Sequence, residues 1–114
     1  MESKLEGFIR ESAFRKVPGL INALDLLCIY SGLERSTTLF LREPGKLYAI
    51  LKELYGHEAA GFILINVFLK PLLSFLNKVE LLPKASYLME ADVNEFAELI
   101  KDLLKCALEV PGEL

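Results

Sequence analysis

Apolar residues along most of this chain recur in steps of three and four rather than in alternation, which predicts a helical protein. Lys4–Lys16 places Leu5, Phe8 and Ile9 on one side, with Val17 just beyond. Leu20–Ser31 carries Leu20, Ile21, Leu24, Leu27, Cys28 and Ser31 on one stripe, and Gly32 supplies a stop. Pro44 suits a first helical turn, where its missing N–H would be unpaired anyway, and Gly56 closes that helix. Between these two ends Leu47, Ile50, Leu51 and Leu54 form an i, i+3, i+4, i+7 face. Asp92 opens the last helix with Glu95 in capping-box spacing. Its acids lie early and Lys101 and Lys105 late, in the order that complements the helix dipole. Two stretches carry a weaker pattern. Glu34–Arg42 reads as one helical turn or a short extended piece, and Leu81–Met89, with Pro83, as a connection with a turn of helix from Ala85.

The most apolar stretch is Ala59–Leu69, in which Asn66 is the single polar side chain. A membrane-spanning helix needs about 20 predominantly apolar residues, and Lys70 and Pro71 interrupt the continuation, so a core helix over 58–79 is expected and a stable membrane span is not. Asn66, Lys70, Ser74 and Asn77 fall within about 80° of arc at 100° per residue, which makes one narrow polar stripe. Pro71 cannot donate to Val67, so a kink is expected near Lys70. The half through Phe62-Ile63-Leu64-Ile65 is apolar all round and is expected to be enclosed on every side. The expected fold is therefore all-α, a single domain over 1–114 with about five helices around this one. So few short helices enclose a central one with difficulty, which points to a second copy or another helical protein as cover. Phe62, Ile65, Phe68, Leu69, Leu72 and Phe75 are the candidate interface residues.

Composition narrows the functional classes. A hydrophobic share of 53% excludes intrinsic disorder, and two cysteines in 114 residues exclude a disulfide-stapled scaffold. Cys28 and Cys106 lie in leucine-rich surroundings and read as buried thiols. The first residues carry charges every two or three positions, which is no signal peptide, and a cytoplasmic protein is the default expectation. The net charge of −3 argues against a general nucleic-acid binder. It is unevenly distributed, with seven acids and two bases after Met89. The one basic cluster, Arg10, Arg15 and Lys16, is interleaved with Glu6 and Glu11.

His57 is the single histidine, and it reads as a surface residue at a helix start. No pair of cysteines or histidines has metal-ligand spacing, no glycine-rich phosphate loop is present, and the carboxylates Glu95, Glu98 and Asp102 are spaced as a solvated face. No enzyme and no cofactor are expected. The residues favour a non-catalytic interaction or regulatory module that self-associates. A helical DNA-associated regulator stands as one alternative. The other is a carrier whose helices around Phe62, Phe68 and Phe75 line a pocket for a small apolar ligand.

The stretch Glu43-Pro44-Gly45-Lys46-Leu47-Tyr48-Ala49-Ile50-Leu51-Lys52-Glu53-Leu54-Tyr55-Gly56-His57-Glu58-Ala59 has a Pro opening one helix and an aromatic-Gly-x-x-Ala step into the next. In this it resembles small all-helical archaeal domains, some of them appended to signalling proteins as output domains. The resemblance spans roughly residues 20–79 and implies an intracellular helical module without assigned chemistry. Lys70-Pro71 and the acidic last helix are not features of that pattern, and no residue roles carry over.

Overall fold

A computed structural model describes the backbone of residues 2–109 and the side chains of residues 4–105. Every regular element among them is helical: α1 (Glu2–Lys16), α2 (Leu20–Tyr30), α3 (Ser36–Arg42), α4 (Pro44–Tyr55), α5 (His57–Ile63), α6 (Lys70–Phe75), α7 (Leu82–Ala91) and α8 (Val93–Glu109). A π-helical stretch, Leu64–Leu69, joins α5 to α6, and a 3₁₀ turn, Val79–Leu81, precedes α7. The radius of gyration is 13.4 Å, against about 13 Å for a compact chain of this length.

The helix ends follow local chemistry. At the end of α2, Gly32 has φ 77°, and the N–H groups of Gly32 and Leu33 bond the carbonyls of Ile29 and Cys28, both at 2.9 Å. That is a Schellman stop, and its left-handed residue suits glycine. Asn77, at φ 59°, repeats the motif after α6: its own N–H reaches Ser74 O at 3.1 Å and that of Lys78 reaches Leu73 O at 2.7 Å. Asn77 is exposed but lies past the end of α6, as its cap and not as a continuation of its polar stripe. The cap expected at Asp92 forms, with Glu95 N–H donating to Asp92 Oδ1 at 3.2 Å.

Two weakly patterned stretches resolve as helices, giving more segments than the five expected. Ser36–Arg42 is α3, because its N-terminus is fixed from outside by Asp25. Leu82–Ala91 is helical from its start, with Pro83 in the first turn, where it removes no intrahelical bond.

The long apolar helix departs from expectation in two ways. The disturbance at Pro71 takes the form of a π-turn that ends just before it. Lys70 N–H bonds Ile65 O, five residues back, and Asn66 O would then need Pro71 N, which carries no hydrogen. Lys16 of α1 takes that place, its Nζ donating to Asn66 O at 3.1 Å. A proline in mid-helix leaves a carbonyl without a partner, and a lysine from another helix satisfies it.

The second departure is a correction. The first half is not enclosed on every side: His57, Glu58, Ala59 and Phe62 are exposed, Ile63 and Ile65 are half-buried, and only Ala60, Gly61 and Leu64 are buried. Helix α4 packs against α5 across the tight Gly56 turn (φ 91°) and covers one side of it. The buried part lies further on, at Val67, Phe68, Leu69, Leu72 and Leu73, against α1. His57–Phe75 is the one helix among the described residues long and apolar enough to cross a membrane, and half of that window is buried inside the domain.

Candidate interaction surface

The six residues expected to form an interface separate into three groups. Phe68, Leu69 and Leu72 are fully buried in the core, with Phe68 against Phe40 at a ring-centroid distance of 5.3 Å. Ile65 and Phe75 are half-buried, and Phe75 is covered by Phe8 of α1 at 5.3 Å. Phe62 alone is fully presented, at 68% exposure, and a single exposed aromatic is ordinary on a protein surface. These residues therefore form neither a common face nor a common pocket, since the helix turns most of them inward.

The larger uncovered apolar face is on α2. Ile21, Leu24 and Cys28 face the core, with Asp25 beside them. On the opposite side Ala23, Leu26, Leu27 and Tyr30 are exposed at i, i+3, i+4 and i+7, within about 100° of arc. Leu26 is 61% and Tyr30 88% exposed. Ile29 flanks the stripe, and Phe14 and Val17 near the end of α1 are also exposed. A helix with apolar residues on two opposite faces is usually covered on both, yet α2, whose one exposed polar side chain is Asn22, contacts chiefly its neighbours α1 and α3. The second stripe was present in the sequence as the same spacing read one face over.

Beneath α2 lies a polar cluster that no spacing in the sequence singles out. Asp25 Oδ1 accepts from Ser36 N–H at 2.9 Å and Ser36 Oγ at 2.7 Å, and Asp25 Oδ2 pairs with Arg10 at 2.6 Å. Arg10 also donates to Thr37 Oγ1 at 3.1 Å, while Thr37 and Thr38 donate to Glu6 at 3.1 and 2.8 Å. Ser36 and Thr37 are fully buried. Burial alone would raise the Asp25 pKa, but the hydrogen bonds from Arg10 and Ser36, with the Arg10 charge, outweigh it and hold the carboxyl below its ordinary range. The signal available in the sequence was Asp25 itself, the one charge within an eleven-residue apolar helix.

This cluster ties α1, α2 and α3 together and consumes part of the basic cluster. Arg10 is held by Asp25, Arg15 pairs with Glu11 at 3.3 Å, and Lys16 is on Asn66 O. The three cations of the basic cluster, interleaved in sequence with Glu6 and Glu11, are each engaged locally. Cys28 is fully buried, and burial followed by the nearby Asp25 charge pushes its thiol pKa up, away from the reactive thiolate. The side chain of Cys106 lies outside the described residues. No group of three or more His, Cys, Asp or Glu is placed to hold a metal among the described residues.

His57 is exposed at the start of α5, with its ring 6.3 Å from that of Tyr48. Tyr48 is 3% exposed, and its hydroxyl has no hydrogen-bond partner among the described residues. Burial and the charge of Glu90 raise its pKa. A buried donor left unpaired costs roughly 1–3 kcal/mol, so Tyr48→Phe is expected to stabilise the protein by about 1 kcal/mol. Urea unfolding of the two proteins checks this, and a destabilised phenylalanine variant would mean that the hydroxyl is satisfied.

No protein-family model, curated protein or solved structure matches this chain.

Proposed function

We propose that this chain is a non-catalytic helical interaction module that pairs with a second copy of itself through the outer face of α2. The observation that carries the reading is the charge-free stripe Ala23, Leu26, Leu27 and Tyr30, exposed on a helix whose other face is already in the core. Such a face has nothing in it to repel its own copy. Two-fold pairing sets a patch against itself, so an uncharged apolar stripe is self-complementary without further design. Tyr30 offers the large, two-torsion anchor that interfaces favour. The resemblance to output domains fits the same reading, as a module that acts by changing its contacts.

The size of the face sets the strength. Eleven residues make a helix about 16 Å long at ~1.5 Å per residue. Two such helices, even with Phe14 and Val17 added, bury an area at the low end of stable interfaces, which start near 1,200 Å². A reversible dimer in the micromolar range is the consequence. Sedimentation velocity over a concentration series is expected to show a monomer–dimer equilibrium. Leu26→Glu should weaken it tenfold or more while leaving the unfolding midpoint unchanged, since Leu26 supports no core contact. A wild-type protein that stays monomeric at ~100 μM would overturn the reading.

A further inference from the structure

We infer that the groove between α1 and the π-turned end of the long helix binds a single-chain carboxylate amphiphile, a medium-chain fatty acid. The groove is about 400 Å³, within the range of roughly 300–1,000 Å³ typical of small-ligand sites. Phe8, Pro71, Leu73, Val79 and Leu82 supply its apolar walls. Lys16, Lys70, Ser12 and Ser74 supply its polar lining, and no carboxylate lines it. An apolar trough with two cations and two hydroxyls complements a ligand of opposite make-up, an apolar tail and one anionic head.

The π-turn explains why Lys16 is in place. Pro71 leaves Asn66 O without its helical partner, and Lys16 Nζ docks on that carbonyl at 3.1 Å. One of three ammonium donors is used, so two remain for an anion while the side chain is already held. Ordering a lysine on binding costs side-chain freedom, and the contact with Asn66 O already restricts this one. Lys70 sits on the turn itself, next to Pro71, and among the described residues no carboxylate pairs with it. The groove thus joins two members of the polar stripe, Lys70 and Ser74, to a feature that the proline creates. It lies apart from the outer face of α2, and none of the residues proposed to pair copies lines it.

The test titrates decanoate into the full chain and follows binding by calorimetry and by amide chemical shifts. Decanol serves as the same tail without charge, inorganic phosphate as charge without a tail, and vesicles of anionic phospholipid as the membrane-bound source of both. Saturable decanoate binding is expected, with shifts centred on Phe8, Lys70 and Ser74. K16M/K70M should weaken decanoate tenfold or more and leave decanol unchanged. Ser74→Phe, at an exposed position, should fill the groove and weaken both. Circular dichroism of each variant separates lost binding from lost folding, and Lys70→Met alone, which breaks no contact, gives a smaller loss in the same direction if the double variant unfolds. The proposal is overturned by decanoate binding that survives K16M/K70M, by shifts centred on Leu26 and Tyr30, by phosphate binding as tightly as decanoate, or by binding to vesicles alone.

Discussion

Replacing Asp25 with alanine is expected to remove about 3 kcal/mol of stability and to lower Tm by roughly 10 °C. Three groups lose their acceptor at once: the Ser36 N–H at the start of α3, the Ser36 hydroxyl and the Arg10 guanidinium. Hydrogen bonds to a charged partner contribute about 1.5–3 kcal/mol net, those within one cluster do not simply add, and a lost helix cap alone costs about 1 kcal/mol. Arg10 keeps some access to water, its side chain being 26% exposed, which places the total below the upper range for a sealed ion pair. Asp25→Asn retains an acceptor for Ser36 but sets an NH2 donor against Arg10, so it loses the charge and the Arg10 hydrogen bond together and should cost less than alanine while remaining destabilising. The two variants differ in their dependence on pH. The folded pKa of Asp25 lies below its unfolded value of ~3.9, so the unfolded chain binds a proton that the folded one does not. The stability this group contributes is fully present above pH ~5 and is lost as pH falls through the folded pKa. Urea midpoints of wild type and Asp25→Asn should therefore differ by a constant amount above pH 5 and converge in acid. Parallel curves down to pH 3 would show that the carboxylate charge contributes nothing.

That cluster shows which part of the molecule can be read from sequence and which cannot. Periodicity located the helices because each amphipathic stripe is a local property, with Leu47, Ile50, Leu51 and Leu54 the clearest case. Stops at Gly32 and Gly56 and the Asp92 cap were legible for the same reason: turn chemistry acts over a few residues. Ser36–Arg42 was ambiguous because its cap comes from Asp25, eleven residues away on another helix. Arg10, Glu6 and Thr37 are farther apart still, and no spacing rule connects them.

The apolar surplus was legible as a quantity but not as a place. Hydropathy marks Ala59–Leu69 as the richest stretch, yet richness does not say which face is covered. Folding spends that stretch largely on the core and leaves α2, a shorter and less conspicuous helix, with the uncovered side. Polar positions behaved similarly. Of Asn66, Lys70, Ser74 and Asn77, the last became a helix cap, Asn66 turned its side chain onto Phe62 O at 2.9 Å, and Lys70 and Ser74 became groove residues. A stripe drawn at 100° per residue loses its register across a π-turn, because each inserted residue rotates every later side chain about the helix axis.

Two phenylalanines six residues apart on that helix should have opposite fates. Phe68→Ala is expected to cost about 3–5 kcal/mol, whereas Phe62→Ser should stay within about 0.5 kcal/mol of wild type. Phe68 is fully buried and packs on Phe40 with the rings tilted by 40°, so truncation opens a cavity and also removes an aromatic contact. Phe62 stands 68% exposed and loses little contact when cut back. A domain of this size has a total stability of about 5–15 kcal/mol, so the first variant is expected to lie near the edge of folding and the second to be indistinguishable by midpoint. Because α5 leads into the π-turn, the pair also tests the register of the helix. An uninterrupted α-helix advances about 600° between residues 62 and 68, which puts their side chains about 120° apart, and each added residue in a π-turn changes that angle. Equal losses from the two substitutions, read as urea midpoints under one set of conditions, would mean that both rings face the core and that the helix is enclosed after all. A large loss at Phe62 together with a shift toward monomer would instead move the interface from α2 to α5.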